Sequence, residues 1–289
     1  MIGVMTCLCR SSSELGSWLG LPAAVISQQR GPGGPVDTRH GPVFLKPLAS
    51  LDQAQAEQDG LAALAGGAFR VPRVLAVAAL DDGGACLVLE WLALQAPPAA
   101  ESGRVADALA DWYQRAHATA FGWHRDNYIG PTPQPNRVME DWGDFFAHQR
   151  LQPQLDLAEG RLGRATCERV EAVIGHVRPL LAGAGPPVRL HGDLWRGNLA
   201  WVEDQPALFD PAVYHGPAEV DLAMLELFGE PLPGLVGQAL ARLEVAPGYP
   251  VRRQVYHLYH LLNHFNLFGA GYARAVDETC GRLLAEVRA

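Results

Sequence analysis

Lysine is almost absent from this sequence. Of its 23 Lys and Arg residues one is lysine, Lys46, and the other 22 are arginine. Net charge is −8 and no segment is rich in basic residues. That excludes the electrostatic footprint of a nucleic-acid-binding surface, so no nucleic acid partner is expected. Long apolar runs are also missing. No stretch of about 20 apolar residues occurs, and no membrane span is expected. The start, MIGVMTCLCRSSS, is apolar but has no basic n-region, which argues against a signal peptide. Cysteine is scarce: Cys7, Cys9, Cys86, Cys167 and Cys280 are odd in number, scattered, and form no C-x-x-C pair. Reduced thiols in a cytoplasmic protein are expected, rather than disulfides or zinc. Neither G-x-S-x-G nor H-E-x-x-H is present, which removes the serine-hydrolase elbow and the zinc-peptidase helix.

What is present suits a folded chain with ample core: 289 residues, 48% of them hydrophobic and 19% charged. There is no internal repeat. The first hundred residues read as short strands plus one helix. VFLKPL is a strand. SLDQAQAEQDGLAALAGG is a helix, N-capped by Ser50, boxed by Gln53 and stopped by Gly66-Gly67. RVLAVAAL, DDGG and ACLVLEWL read as strand, turn and strand. A proline-interrupted linker follows, and beyond it apolar residues recur mainly at helical spacing. The expected fold class is α+β, with a small β-rich N-lobe over 1–92, a linker over 93–103 and a larger, mainly helical C-lobe over 104–289.

One segment breaks the helical pattern, VRLHGDLWRGNLAWVEDQPALFDPA. HGDLWRGN places His191, Asp193 and Asn198 in a polar loop, 191–198. Two short apolar strands, LAWV and ALFD, are joined by the turn EDQP, so Asp210 is expected to fold back toward Asn198. Each residue alone is ordinary. A lone loop Asp is usually a turn residue, and His191 reads as a structural hydrogen-bonder. Together they match what phosphoryl transfer from a nucleotide requires. A carboxylate orients the attacking hydroxyl and takes its proton, and an amide oxygen with a second carboxylate suits Mg²⁺. The Asp-to-Asn spacing of five, followed by another Asp, is the pattern of nucleotide-dependent kinases.

Lys46 lies on the strand before the helix that carries Glu57. Glu57, Leu61 and Leu64 fall at i, i+4 and i+7, so the carboxylate shares an otherwise apolar face and needs a cation. Lys46 is the expected partner. The bland alternative is a solvated lysine and a solvent-facing glutamate. LVLEW, with Glu90, Trp91 and Leu92, closes the hairpin before the linker, where backbone groups could meet a nucleotide base.

LHGDLWRGN, DPAVYHGPAEVDLAMLELFG, FGWHRDNYIGPTPQPN and LLNHFNLFGAGY together resemble the fructosamine/ketosamine-3-kinases, relatives of the aminoglycoside and choline kinases, over most of the chain. The resemblance implies a two-lobed protein-kinase-like fold, ATP as donor with Mg²⁺, and phosphorylation of the C3 hydroxyl of a ketoamine. The product falls apart, which repairs glycated amines or proteins. It implies Asp193 as catalytic base and Asn198 and Asp210 as metal ligands, with 210–212 the metal-binding hairpin end. Lys46 would contact phosphates, paired to Glu57. Glu90, Trp91 and Leu92 would line the nucleotide site, and Trp195 and His117 the acceptor side. His191, Glu219 and Asp221 would support the catalytic loop. The stretch RGPGGPVDTRHGPVF before Lys46 departs from the family and is expected to be too short for two good strands. A small-molecule or protein-bound ketoamine is the expected partner, and a monomer the default state. A related aminoglycoside- or choline-type hydroxyl kinase and a nucleotide-binding pseudokinase remain open. The presence of all five kinase positions argues against the last.

Overall fold

The computed structural model describes residues 7–28 and 34–288. The apolar start over 1–6 and part of the proline-rich stretch, 29–33, lie outside the described residues. In chain order the regular elements begin with β1 (Cys7–Cys9), α1 (Ser12–Leu19), α2 (Ala23–Gln28), β2 (Val36–Thr38), β3 (Gly41–Leu48), α3 (Leu51–Leu64), β4 (Val74–Ala79) and β5 (Ala85–Glu90). They continue with α4 (Ser102–Gln114), β6 (Asn127–Ile129), β7 (Thr132–Gln134), α5 (Trp142–Phe145), α6 (Gln152–Ala158), α7 (Arg164–Ile174) and α8 (Val177–Leu180). Next come β8 (Val188–Leu190), β9 (Leu199–Val202), β10 (Gln205–Leu208) and β11 (Tyr214–Gly216). The last four are α9 (Glu219–Leu227), α10 (Leu235–Arg242), α11 (Tyr249–Phe268) and α12 (Ala273–Glu286). None of the described helices is long and apolar enough to cross a membrane.

The chain divides into two compact units. The first joins 1–96 to 200–211, and the second joins 97–199 to 212–289. The segment 200–211 therefore groups with the β-rich unit, whereas the sequence placed it with the helical part.

In the first unit five strands lie in the order β1-β4-β5-β3-β2. β1 runs parallel to β4, and the other neighbours are antiparallel. Strand alternation sorts β3. Val43 and Leu45 are buried in a core with Leu15, Leu19, Ala76 and Val88, and Phe44 and Lys46 point the other way. α3 begins as expected, with the Ser50 hydroxyl accepting from the Gln53 N–H at 3.1 Å. The Gln53 side chain returns to the Ala49 N–H, also at 3.1 Å.

Three expectations need correction here. Among the described residues this unit has three helices, not one: α1 is capped by Ser11 and braced by Glu14, a capping signature on a helix of eight residues. The stretch before Lys46 does form a short hairpin, β2 pairing with β3 from Val36↔Val43 to Thr38↔Gly41. The β9–β10 turn is Glu203-Asp204, tighter than EDQP, with both residues left-handed at φ 47° and 65°, the backbone of a type I′ hairpin.

The second unit is mainly helical. β8–β11 and β6–β7 are small antiparallel pairs within it. Helix α9 is buried on most of its surface and is joined to α11 by a fully buried ion pair. Arg252 donates to both carboxylate oxygens of Glu219 at 2.6 and 2.7 Å, and the Tyr256 hydroxyl donates to the same group at 2.6 Å.

Candidate active site

In the first unit, Lys46 Nζ donates to Glu57 Oε1 at 2.7 Å and to Asp210 Oδ1 at 2.9 Å. Two carboxylates thus share one ammonium. Burial alone would lower the Lys46 pKa, but Glu57 and Asp210 outweigh it and hold the ammonium above its usual value. Burial raises Glu57, and Asp210 adds to that. The trio sets two carboxylates against one ammonium, an oxygen donor chemistry that suits a divalent metal. Asp210 follows β10 and is left-handed at φ 55°, a conformation that Asp tolerates better than most residues.

β10 is fixed to this unit by backbone bonds, Arg70 N–H to Pro206 O at 2.8 Å and Leu208 N–H to Arg70 O at 2.9 Å. β9 is held through Trp201 and Gln95. Beside the trio lies a cavity of about 830 Å³, walled by Phe44, Trp91, Leu92 and Phe209, with Lys46 and Asp210 on its margin. That volume and apolar lining fit a nucleotide-sized ligand. The Glu90 side chain is already engaged, by Arg73 Nε at 2.7 Å and by Arg70.

In the second unit, the loop after β8 holds His191, Asp193 and Asn198. Asn198 Nδ2 donates to the Asp193 carbonyl at 2.9 Å and to its Oδ2 at 3.3 Å. With Nδ2 turned inward, any metal ligation by Asn198 goes through its amide oxygen, a hard donor. His191 is fully buried, and its Nδ1 accepts the Asp193 N–H at 3.3 Å. Asp221 holds the loop from below, accepting from the His191 N–H at 2.7 Å, the Gly192 N–H at 2.9 Å and the Tyr113 hydroxyl at 2.9 Å. Burial without a cation raises Asp221 to about 6, although those three donors pull it down.

Two glycines in HGDLWRGN are dictated by space. A Cβ on Gly192, at φ 81°, would sit 2.0 Å from the Ala212 carbonyl oxygen. One on Gly197 would meet the Trp195 ring at 2.3 Å. Trp195 covers that glycine and stays 37% exposed.

Other residues fall elsewhere. Glu219 was expected to support the loop, but its bonds run to α11. The reason is helix geometry: Glu219 and Asp221 are two apart on α9 and so point to different sides. His117 lines a separate cavity of about 380 Å³ with Tyr113, Val188 and Glu219, and neither Asp193 nor Trp195 lies on its walls. Asn127 of the DNYIG loop is buried, and its Nδ2 donates to Val213 O at 2.7 Å. Gln134 Nε2 donates to Ala212 O at 3.1 Å. Tyr113 and Gln134 went unread because an aromatic on an amphipathic helix and an amide in a loop carry no chemical signature of their own.

Among the described residues no three His, Cys, Asp or Glu side chains form a self-sufficient metal site. A Mg²⁺ bound through a carboxylate such as Asp210, or through an amide oxygen such as that of Asn198, would complete its shell with phosphate and water, as that ion usually does.

The family model for fructosamine kinase matches residues 35–286. The chain belongs to the fructosamine kinase family. It is 43% identical over 243 residues to a probable ketoamine kinase from Synechocystis, covering 81% of both chains. It is 35% identical to the chloroplastic protein-ribulosamine 3-kinase of Arabidopsis thaliana, covering 81% of this chain and 74% of that one. The crystal structure of a candidate fructosamine-3-kinase from Thermobifida fusca superposes with a TM-score of 0.76 at 33% identity, over 88% of this chain and 93% of the other. The choline kinase LicA of Streptococcus pneumoniae shares the fold, with a TM-score of 0.57 at 15% identity. This family member is a phosphotransferase acting on a hydroxyl group, with the kinase-like architecture of its relatives.

Proposed function

We propose that this enzyme transfers the γ-phosphoryl group of ATP to the C3 hydroxyl of a ketoamine, the adduct of a sugar on an amine. The observation that carries the reading is the pair of polar clusters, Lys46–Glu57–Asp210 and Asp193–Asn198, in a fructosamine kinase family member. Ketoamine and ribulosamine kinases among its relatives support the acceptor class.

Asp193 accepts the proton of the C3 hydroxyl as its oxygen attacks the terminal phosphorus, and ADP leaves. Asn198 steadies the Asp193 carboxylate through Nδ2. Lys46, oriented by Glu57, binds phosphate oxygens. Asn198 and Asp210 would each offer an oxygen ligand to Mg²⁺, which would neutralise charge on the phosphates. The apolar cavity takes the base against Phe44 and Trp91, with the 90–92 backbone at its edge. Trp195 offers a flat apolar face to the sugar. His191 and Asp221 keep the loop in register.

An ADP-release assay with fructosyl- and ribulosyl-amines, free and on a glycated protein, tests this reading. Turnover on a ketoamine is expected. Turnover on an aminoglycoside with none on any ketoamine would reject the acceptor assignment. In Asp193→Asn, turnover should fall by several orders of magnitude while ATP still raises the melting temperature. A near-normal rate would remove Asp193 from its role as base.

A further inference from the structure

A second polar cluster in the helical unit shares no residue with those assigned to phosphoryl transfer. The β8–β11 register sets Arg189 opposite His215. Val188 and Leu190 on either side are buried, so Arg189 projects from the other face. Gly122 bridges to His215 from the next segment, bringing Trp123 and His124 alongside. The Trp123 ring stands edge-on to His215 with centroids 4.8 Å apart, and 4.9 Å from His124. On the far side the Arg189 guanidinium carbon lies 5.7 Å from the centre of Trp112.

Arg189 is chemically incomplete. Its Nε is buried and donates to nothing, and no carboxylate among the described residues pairs with its guanidinium. Several other arginines of this chain find carboxylates even at exposed positions, as in Arg164–Glu168 and Arg169–Asp277. Burial lowers the Arg189 pKa. His215 is also pushed down, first by burial and then by Arg189 and His124, and no nearby carboxylate opposes this. A half-buried cation with an unused donor, in a chain of net charge −8, calls for an anion.

We propose that Arg189, His215 and His124, between Trp112 and Trp123, form a binding site for a small oxyanion, a phosphate monoester or a carboxylate. The guanidinium fork matches either group with two parallel N–H bonds. The His215 imidazole adds a single donor, with His124 packed beside the same indole. The indoles keep water from two sides and strengthen each contact. The site uses none of the residues assigned to the kinase reaction and does not depend on that assignment.

NMR of the full chain tests it, following the His215 ring and the Trp123 indole N–H while inorganic phosphate or acetate replaces chloride at constant ionic strength. Saturable shifts of both residues are expected with at least one anion. Saturation with phosphate alone assigns a phosphoryl group, with acetate alone a carboxylate, and with both a general oxyanion site. Arg189→Met keeps the stem on Trp112 and should weaken binding at least about tenfold, ~1.4 kcal/mol. Lys46→Met, which removes the ammonium between Glu57 and Asp210, should leave the titration unchanged. If Arg189→Met does not fold, His215→Phe with the Trp123 signal as reporter replaces it, and an unchanged affinity there overturns the proposal. So do shifts that never saturate, or that persist undiminished in Arg189→Met.

Discussion

Lys46 is an instance of residue identity set by the shape of a charge. Its ammonium sits between Glu57 and Asp210 at 2.7 and 2.9 Å, a gap fitted to a compact cation on a thin stem. Arginine keeps the charge but spreads it over a plane too wide for that gap. A compositional bias that yields 22 arginines therefore stops at this position. Lys46→Arg should raise the KM for ATP about 10- to 100-fold, the size of a lost charge-assisted contact. Initial-rate kinetics against ATP concentration check this, and an unchanged KM would reduce Lys46 to a surface cation. The pairing with Glu57 was legible in the sequence because it depends on local facts, a strand residue and a helix face with one carboxylate. The sharing with Asp210 was less so, since it requires β10 to be fixed against residue 70.

At the scale of elements, the α9–α11 clamp is a fully buried polar tie. Arg252 and Glu219 are each at most 2% exposed. Removing one charge strands the other in the interior. Arg252→Met should cost about 3–5 kcal/mol, and pairing it with Glu219→Gln should recover part of the loss. Urea unfolding of the three variants measures both numbers, and an Arg252→Met protein as stable as the parent would contradict the assignment. Long periodic helices such as α3 and α11 could be read from spacing and caps. The elements missed share a physical cause. α1 is too short for a clear period. β1 pairs with β4, about 70 residues later, and its three residues give no alternation to count. The β9–β10 turn lacks the Asn-Gly signature because Glu203 and Asp204 adopt left-handed backbone without glycine. Glu219 was misdirected because nearness in sequence to Asp221 hides the turn of the helix between them.

For the whole molecule, Asp221 sets part of the response to pH. Its folded pKa is raised from 3.8 to about 6, so between those values the folded state holds a proton that the unfolded chain has released. This stabilisation is fully present below pH 3.8 and is lost as pH rises through about 6. The two-unit difference corresponds to on the order of 3 kcal/mol. Glu57, raised as well, acts in the same direction. Comparing melting temperatures of the parent and Asp221→Asn across this window isolates the effect: the parent loses stability relative to the variant as pH rises. Parallel curves would refute it.

The division of the chain has a further effect. Residues 200–211 complete the first unit, packing Ala200, Val202, Ala207 and Phe209 with Leu92 and supplying Asp210 to Lys46. A fragment ending at Ala96 should therefore fail to give a cooperative melt, and adding a peptide of 200–211 should restore one, as circular dichroism can report. During synthesis the five-stranded sheet emerges early, yet its closing hairpin reaches the tunnel exit only after all of α4–α8 has been made. The ribosome thus delivers the Asp210 carboxylate long after its lysine. Assembly of the Lys46–Glu57–Asp210 trio becomes a late checkpoint, passed only by a chain that has been translated through most of its length.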